Sequence, residues 1–247
     1  MPIDSARIPF SGTAAITEPR HRLIVALDVS SAAEARRIVS ALGDSALTYK
    51  VGMQLYTAEG PSVVRDLVAS KRRVFLDLKY HDIPNTVGAA VREAAALGVS
   101  MLTVHASGAG KMLRAAVEAG KSTPEMLILA VTVLTSMDDQ QLAAIGVRDS
   151  MADEVSRLAK LAISQGCHGI VASPQEASRL RAELGGRFAI VTPGVRPVGG
   201  PMGDQVRVAT PAEAIAAGAS HIVVGRPITE AADPAAAART ILEQIKG

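Results

Sequence analysis

Short apolar runs alternate with longer helical stretches along almost the whole chain. The runs have the length of buried strands, and the Ala-rich, charge-spotted stretches between them, such as residues 31–42 and 86–98, have the composition of helices. The candidate strands are residues 23–28, 47–52, 73–78, 101–106, 126–134, 168–173, 188–193 and 221–226. Strands that alternate with helices in this way are typical of a parallel sheet joined by crossover helices.

Eight strand-helix units in a chain of 247 residues predict a (β/α)8 barrel, the TIM-barrel fold of the α/β class. We expect a single catalytic domain over residues 22–247. A doubly wound open sheet is the alternative architecture. Residues 1–21 lack the continuous apolar middle of a secretory signal, and we interpret them as a weakly ordered N-terminal extension.

The composition narrows the class of function. A net charge of +2, with three Tyr, three Phe and no Trp, gives neither the basic surface nor the aromatic platform of a nucleic-acid binder. No apolar run approaches the roughly 18 residues of a membrane span. The single cysteine, Cys167, cannot form an internal disulfide, and its place before an apolar strand indicates an inert core thiol. We expect a cytoplasmic protein with no nucleic-acid or membrane partner.

Polar residues stand at or just after the carboxyl ends of the apolar runs. They are Asp28, Lys50, Asp77, Lys79, His105, Thr135, Ser173, Thr192 and Arg226. In a barrel, these strand ends and the loops after them form the active-site face. A charged residue can mark a strand end without any function, but a set drawn from successive strands should converge at one end of one barrel.

The stretch FLDLKYHDIPNT, residues 75–86, carries two carboxylates and a lysine close together. Side chains alternate along a strand, so Asp77 and Lys79 should share one face while Leu78 takes the other. Asp82 follows, and Pro84 indicates the first turn of a helix. Two acids around one base either stabilise one another as an ion-pair network or hold a charged site open for a ligand.

The last quarter of the chain predicts a phosphate site. Gly225 and Arg226 end the eighth strand, where barrels often bind phosphate, because glycine lets the backbone approach the oxygens and a guanidinium can fork onto them. Upstream, residues 192–211 are rich in Gly and Pro and contain Arg196 and Gln205. We interpret this segment as a flap that closes over the phosphate, with a surface loop as the alternative.

Taken together, these motifs resemble the orotidine 5′-phosphate decarboxylase family. LDLKYHDIPNT is similar to its D-x-K-x-x-D-I-P-x-T signature, and the resemblance extends in order through VALDV, YKVG, LTS, TPGVRP…GDQVRVATP and IVVGRPIT, over about residues 22–246. D-x-K-x-x-D alone also occurs in sugar-phosphate decarboxylases and hexulose-phosphate synthases of the same barrel lineage. Those relatives use Mg²⁺ and place a carboxylate where this chain has Lys50, and an ammonium beside Asp77 opposes a metal there.

The resemblance implies decarboxylation of orotidine 5′-phosphate to UMP and CO2 in pyrimidine biosynthesis, with no metal and no cofactor. The implied catalytic residues are Lys79 as proton donor to C6, together with Asp77, Asp82 and Lys50. The implied substrate contacts are Asp28, Lys50, Asp77, Lys79, Asp82, Ile83, Thr86, Thr135, Pro193, Arg196, Gln205, Gly225 and Arg226.

The resemblance also implies a homodimer. Asp82, Ile83 and Thr86 would reach into the partner subunit's site, so each active site would be composite. Two other functions remain open at this point: a Mg²⁺-dependent sugar-phosphate decarboxylase or aldolase of the same lineage, and a phosphate-binding barrel without catalytic activity.

Overall fold

The computed structural model describes residues 18–186, 188–197 and 209–246. In these residues eight parallel strands close into a barrel, each paired with the next along the chain and the last with the first. They are β1 (Leu23–Ala26), β2 (Thr48–Gly52), β3 (Arg73–Tyr80), β4 (Met101–His105), β5 (Leu127–Val131), β6 (Gly169–Val171), β7 (Ala189–Thr192) and β8 (His221–Val224). The predicted barrel is confirmed. The open sheet is wrong, because β1 and β8 pair with each other and leave no edge.

The observed strands differ from the predicted runs mainly at their ends. β5 ends at Val131, before the predicted end at Leu134. β3 continues past the predicted end to Tyr80, because Tyr80 still pairs with Val104 of β4. Lys79 therefore lies within a strand rather than just after one.

Helices connect the strands on the outside of the barrel. They are α1 (Pro19–Arg22), α2 (Ala32–Leu42), α3 (Met53–Glu59), α4 (Ser62–Ala69), α5 (Pro84–Ala96), α6 (Ala109–Gly120), α7 (Asp139–Ala144), α8 (Met151–Ser164), α9 (Pro174–Leu184), α10 (Pro211–Ala216), α11 (Arg226–Thr229) and α12 (Pro234–Gln244). Proline begins several of them, as predicted for α5 at Pro84, because the first turn needs no backbone N–H. No helix in the described part of the chain is long and apolar enough to cross a membrane. Residues 1–17 of the predicted N-terminal extension lie outside the described residues.

Alternation along the strands separates two apolar layers. In β1, Ile24 and Ala26 face the barrel interior, while Leu23 and Val25 face the helices. The outer layer is the larger and contains Cys167, which is 5% exposed. Burial raises the pKa of this thiol to about 12, so it stays protonated and unreactive, as expected of a core cysteine.

The barrel interior holds an apolar layer, and charged side chains lie beyond it at the carboxyl ends of the strands. Its apolar layer consists of Ile24, Ala26, Phe75, Met101, Leu127, Leu129, Ala189, Val191 and Val223. At the amino end of β8, His221 is fully buried, and burial lowers its pKa to about 3, with the positive charges of Arg73, Arg22 and His21 acting in the same direction. In the described part of the chain this apolar layer fills the barrel below the cavity, which lies at the carboxyl ends of the strands.

Candidate active site

The centre of the site is an irregular end of β3. The pairing between β3 and β4 shifts register between Leu76 and Tyr80, so the residues between them bulge out of the regular ladder. Lys79 adopts a φ of 53°, in the left-handed region that a non-glycine residue rarely enters. Asp77 and Lys79 both line the same cavity, while Leu78 packs on the outer apolar layer, as the alternation predicted.

Thr103 of β4 holds this bulge in place. Its side chain is fully buried, and its Oγ1 accepts a hydrogen bond from the backbone N–H of Lys79 at 2.9 Å. The same hydroxyl donates to Asp77 Oδ1 at 2.9 Å. Sequence reasoning missed Thr103. The available signal was its position in the candidate strand next to that of Asp77, two residues before His105 and on the same face.

Four side chains of alternating charge form a chain across the ends of β1, β2 and β3. Lys79 Nζ lies 3.0 Å from Asp77 Oδ1, and Asp77 Oδ2 lies 3.7 Å from Lys50 Nζ. Lys50 Nζ in turn lies 2.8 Å from Asp28 Oδ1. The side chains of Lys50 and Asp77 are only 12% and 14% exposed, so water screens these charges less than it screens ordinary surface ion pairs.

Gly52 at the end of β2 makes room for this chain of charges. A Cβ at this position would lie 2.9 Å from Lys50 Nζ and 3.1 Å from Asp28 Oδ1. Both distances are shorter than ordinary van der Waals contacts. The absence of a side chain at Gly52 therefore allows Lys50 to reach Asp28 and Asp77 at once.

An open cavity of about 540 Å³ lies over these charges, within the size range of small-molecule sites. The structure brings nine of the predicted site residues to its wall: Asp28, Lys50, Asp77, Lys79, Thr135, Pro193, Arg196, Gly225 and Arg226. Its apolar lining includes Phe75, Val131, Val171 and Val223. The cavity is also lined by five residues that no sequence motif indicated: Ser30, Glu34, Gln54, Thr229 and Glu230.

The loops after β7 and β8 bring two cations to the same cavity. Arg226 is the first residue of α11, directly after Gly225, and Arg196 follows the turn at Gly194, whose φ is 76°. Positive charge at this wall suits a dianionic group such as a phosphate. Gln205, predicted to act with them, lies outside the described residues.

Three predicted site residues stand away from the cavity of their own chain. Asp82, Ile83 and Thr86 are exposed near the start of α5, and Ile83 is 66% exposed. Asp82 accepts a hydrogen bond from the Ile83 backbone N–H at 2.6 Å, and among the described residues it pairs with no cation. Within one chain, Asp77 alone of the two predicted acids contacts Lys79.

His105 packs beside the site without entering it. Its ring stacks on His81, with ring centres 5.4 Å apart, and its Nδ1 lies 2.7 Å from Ser107 Oγ. Burial lowers the pKa of His105, and the nearby His81 and Lys79 lower it further. A neutral ring held in this way fits a packing role.

The donors at the site do not suit a metal ion. Among the described residues, no group of three or more His, Cys, Asp or Glu side chains is placed to hold one. The ammonium of Lys50 lies 3.7 Å from Asp77 Oδ2, and it would repel a divalent cation bound beside that carboxylate.

The fold and the site define a class of protein: a (β/α)8 barrel with a lysine and carboxylate cluster at the carboxyl ends of its first three strands and two arginines at the wall of the same cavity. Comparison with known sequences identifies the family within that class. The sequence model described as "Orotidine 5'-phosphate decarboxylase / HUMPS family" matches residues 21–241, and the chain belongs to this family.

Individual relatives agree with that assignment. The chain is 52% identical over 226 residues to an orotidine 5′-phosphate decarboxylase of Rhodopseudomonas palustris (strain HaA2), covering 92% of this chain and 95% of the relative. It is 48% identical over 234 residues to the enzyme of that name from Moorella thermoacetica (strain ATCC 39073 / JCM 9320), covering 92% and 93%. The crystal structure of orotidine 5′-phosphate decarboxylase from Lactobacillus acidophilus superposes with a TM-score of 0.83 at 40% identity, covering 91% of this chain and 99% of that one. The family predicted from the motifs is confirmed.

Proposed function

We propose that this protein decarboxylates orotidine 5′-phosphate to UMP and CO2 in pyrimidine biosynthesis, without a metal or cofactor, and that Lys79 is its proton donor. One observation carries the proposal: Lys79 Nζ lines the cavity and lies 3.0 Å from Asp77 Oδ1, while Lys50 Nζ lies 3.7 Å from the other oxygen of the same carboxylate. Membership of the family and the names of the relatives support the choice of substrate.

The reaction needs a cation at one position. When the bond between C6 and the carboxylate breaks, CO2 departs and the electron pair stays on a ring carbon with little resonance stabilisation. The ammonium of Lys79 lowers the energy of that negative charge, since a fixed positive group in a largely buried site acts without solvent reorganisation. Lys79 then transfers one proton from Nζ to C6, and water returns a proton to the amine.

Asp77 has two roles in this scheme. It fixes Lys79 through the 3.0 Å ion pair, and it lies beside the substrate carboxylate that departs. Repulsion between the two carboxylates contributes to the rate only in a secondary way. Asp28 and Lys50, paired at 2.8 Å, hold the ribose hydroxyls, and Thr135 frames the base.

The phosphate supplies binding energy far from the reacting carbon. Arg196, Gly225 and Arg226 at the cavity wall would hold it together with Gln205, and Pro193 would contact the substrate from the same wall. Energy from this remote dianion can order the charged cluster and so increase the rate as well as the affinity.

The test of this assignment is Lys79→Ala, compared with Lys121→Ala as the control. Lys121 lies on the surface and pairs only with Glu118 in the described structure, at 2.7 Å. We expect Lys79→Ala to bind UMP but to lose turnover by orders of magnitude, because no neighbouring group replaces an ammonium at C6. Turnover by Lys79→Ala within about tenfold of the wild-type rate would remove Lys79 from this role.

We further propose a cytoplasmic homodimer with composite active sites. The exposed side chains of Asp82, Ile83 and Thr86 support this arrangement, because they leave their own cavity and are free to enter a partner's. A two-fold axis would then create two equivalent sites, each completed by the other subunit. Asp82 would add its negative charge beside Lys79 across the interface.

Subunit mixing tests the composite site. Inactive Lys79→Ala and Asp82→Ala subunits should complement, since one site of the mixed dimer carries both changes and the other carries neither. With random exchange at equal concentrations, about half of the dimers are mixed, which gives roughly a quarter of wild-type activity. Activity that stays at the level of the separate variants, while subunits demonstrably exchange, would place Asp82 within its own chain.

A further inference from the structure

We propose that Thr103 is a positioning residue, whose single buried hydroxyl sets the place of Lys79 relative to Asp77. This inference rests on the proposed function, in which Lys79 delivers the proton to C6. Thr103 lies on β4, outside the set of residues that contact the cavity, and it acts through the two residues it holds.

The Thr103 hydroxyl accepts one hydrogen bond and donates another, and both join it to the pair Asp77 and Lys79. It accepts from the Lys79 backbone N–H at 2.9 Å and donates to Asp77 Oδ1 at 2.9 Å. Asp77 Oδ1 also accepts from Lys79 Nζ at 3.0 Å. Both ends of Lys79, its backbone and its ammonium, are thereby tied to one carboxylate oxygen, which limits the positions that the ammonium can occupy.

The backbone of Lys79 has an unusual conformation that the hydrogen bond to Thr103 helps to hold. The register of the ladder between β3 and β4 shifts across this point, and the φ of 53° at Lys79 is a strained conformation for a residue with a Cβ. Strain of this kind persists only where the surroundings fix it. The bond from the Lys79 N–H to Thr103 Oγ1 is a side-chain contact in place of a regular ladder partner, so the strained residue depends on this hydroxyl.

Three variants separate positioning from general stability. Thr103→Val keeps the shape and removes the hydroxyl, and Thr103→Ser restores it. Thr132→Val is the matched control, because Thr132 is 1% exposed just after the end of β5, and within the described ranges its hydroxyl donates to the Val171 carbonyl, at 3.1 Å. The readouts are kcat, KM and the affinity for UMP, which lacks the carboxylate at C6.

We expect the kcat of Thr103→Val to fall roughly 10- to 100-fold, as a misplaced catalytic group predicts, with UMP affinity within about threefold of wild type. Thr103→Ser should recover most of kcat, and Thr132→Val should stay within about twofold of wild type. If Thr103→Val does not fold, Thr103→Cys replaces it, because a thiol forms only weak hydrogen bonds, and the same fall in kcat is expected.

A folded Thr103→Val or Thr103→Cys protein with kcat within about twofold of wild type would overturn the inference. So would equal losses of kcat and of UMP affinity that Thr103→Ser does not reverse, since these would indicate a structural role. Lys79→Ala distinguishes the two levels: full activity there removes the proposed role of Lys79, on which the inference rests, whereas full activity in Thr103→Val alone removes only the role of Thr103.

Discussion

Gly52→Ala should reduce activity while leaving the fold intact. Gly52 has φ −94° and ψ −178°, an extended conformation that alanine adopts without strain. Replacing glycine at such a position stabilises proteins by about 0.4–1 kcal/mol through the unfolded chain, which offsets part of any local crowding. We therefore expect the free energy of unfolding to stay within about 1 kcal/mol of wild type.

The effect on the site follows from two distances. The new Cβ would lie 2.9 Å from Lys50 Nζ, so the ammonium must retreat by roughly half an ångström or more to reach an ordinary contact. If it moves about half an ångström away from Asp77 Oδ2, now 3.7 Å distant, the attraction between them weakens by about 0.5 kcal/mol at an effective dielectric constant near 20. Misplacement by about 1 Å can reduce a rate about 100-fold, so half that shift predicts about a tenfold fall in kcat/KM.

The assay combines thermal unfolding with initial rates of orotidine 5′-phosphate loss. Gly186→Ala is the control, because a Cβ there meets no atom within 4 Å and its backbone lies outside the left-handed region. The reasoning would be refuted by a folded Gly52→Ala protein whose kcat/KM stays within about twofold of the control. It would also fail if Gly52→Ala lost stability and activity together, since the crowding would then act on the fold rather than on the charges.

Two further predictions concern the ends of the barrel. In the folded protein the pKa of His221 is about 3, below its ordinary value of 6.5. Above pH 6.5 the residue is neutral in both states, and it costs no stability. Below pH 6.5 the unfolded state takes up a proton that the folded state does not, so the free energy of unfolding falls by about 3 kcal/mol down to roughly pH 4. Urea unfolding of wild type and His221→Asn across this range should show a shallower acid loss in the variant; equal slopes would exclude His221 as a source of it. Arg226→Ala should lower kcat/KM for orotidine 5′-phosphate by at least about tenfold but leave that for orotidine, which has no phosphate, unchanged. Equal losses on both substrates would place Arg226 away from the phosphate.

Sequence periodicity was sufficient for the architecture. The lengths of the apolar runs and the spacing of the helices between them determine how many units the chain can form, and eight units close on themselves as β1 and β8 do. The alternation of side chains also placed Asp77 and Lys79 on one face. Motif resemblance, rather than periodicity, supplied the family and most of the cavity wall.

The sequence could not reveal contacts that depend on register between distant strands. Thr103 meets Asp77 and Lys79 only because β3 and β4 lie side by side with a shift between Leu76 and Tyr80. A local pattern of residue types predicts neither that register shift nor the left-handed φ at Lys79.

Asp82 illustrates a second limit. Its spacing from Lys79 in the sequence suggested one local charge cluster, yet β3 extends to Tyr80 and the turn into α5 leaves Asp82 exposed outside its own cavity. Whether its charge reaches Lys79 depends on a second subunit, and one chain's sequence contains no direct geometric signal for such an arrangement.

We expect the charged cluster to decarboxylate orotidine 5′-phosphate without a metal, and activity after chelation is the direct test. The protein is dialysed against EDTA and mixed with orotidine 5′-phosphate, and the loss of substrate absorbance in the ultraviolet is followed while UMP is quantified. One UMP should form for each substrate lost, at the rate of the untreated protein, because Lys50 occupies the place beside Asp77 where a metal would bind. No turnover, or turnover that returns only when Mg²⁺ is added, would contradict it.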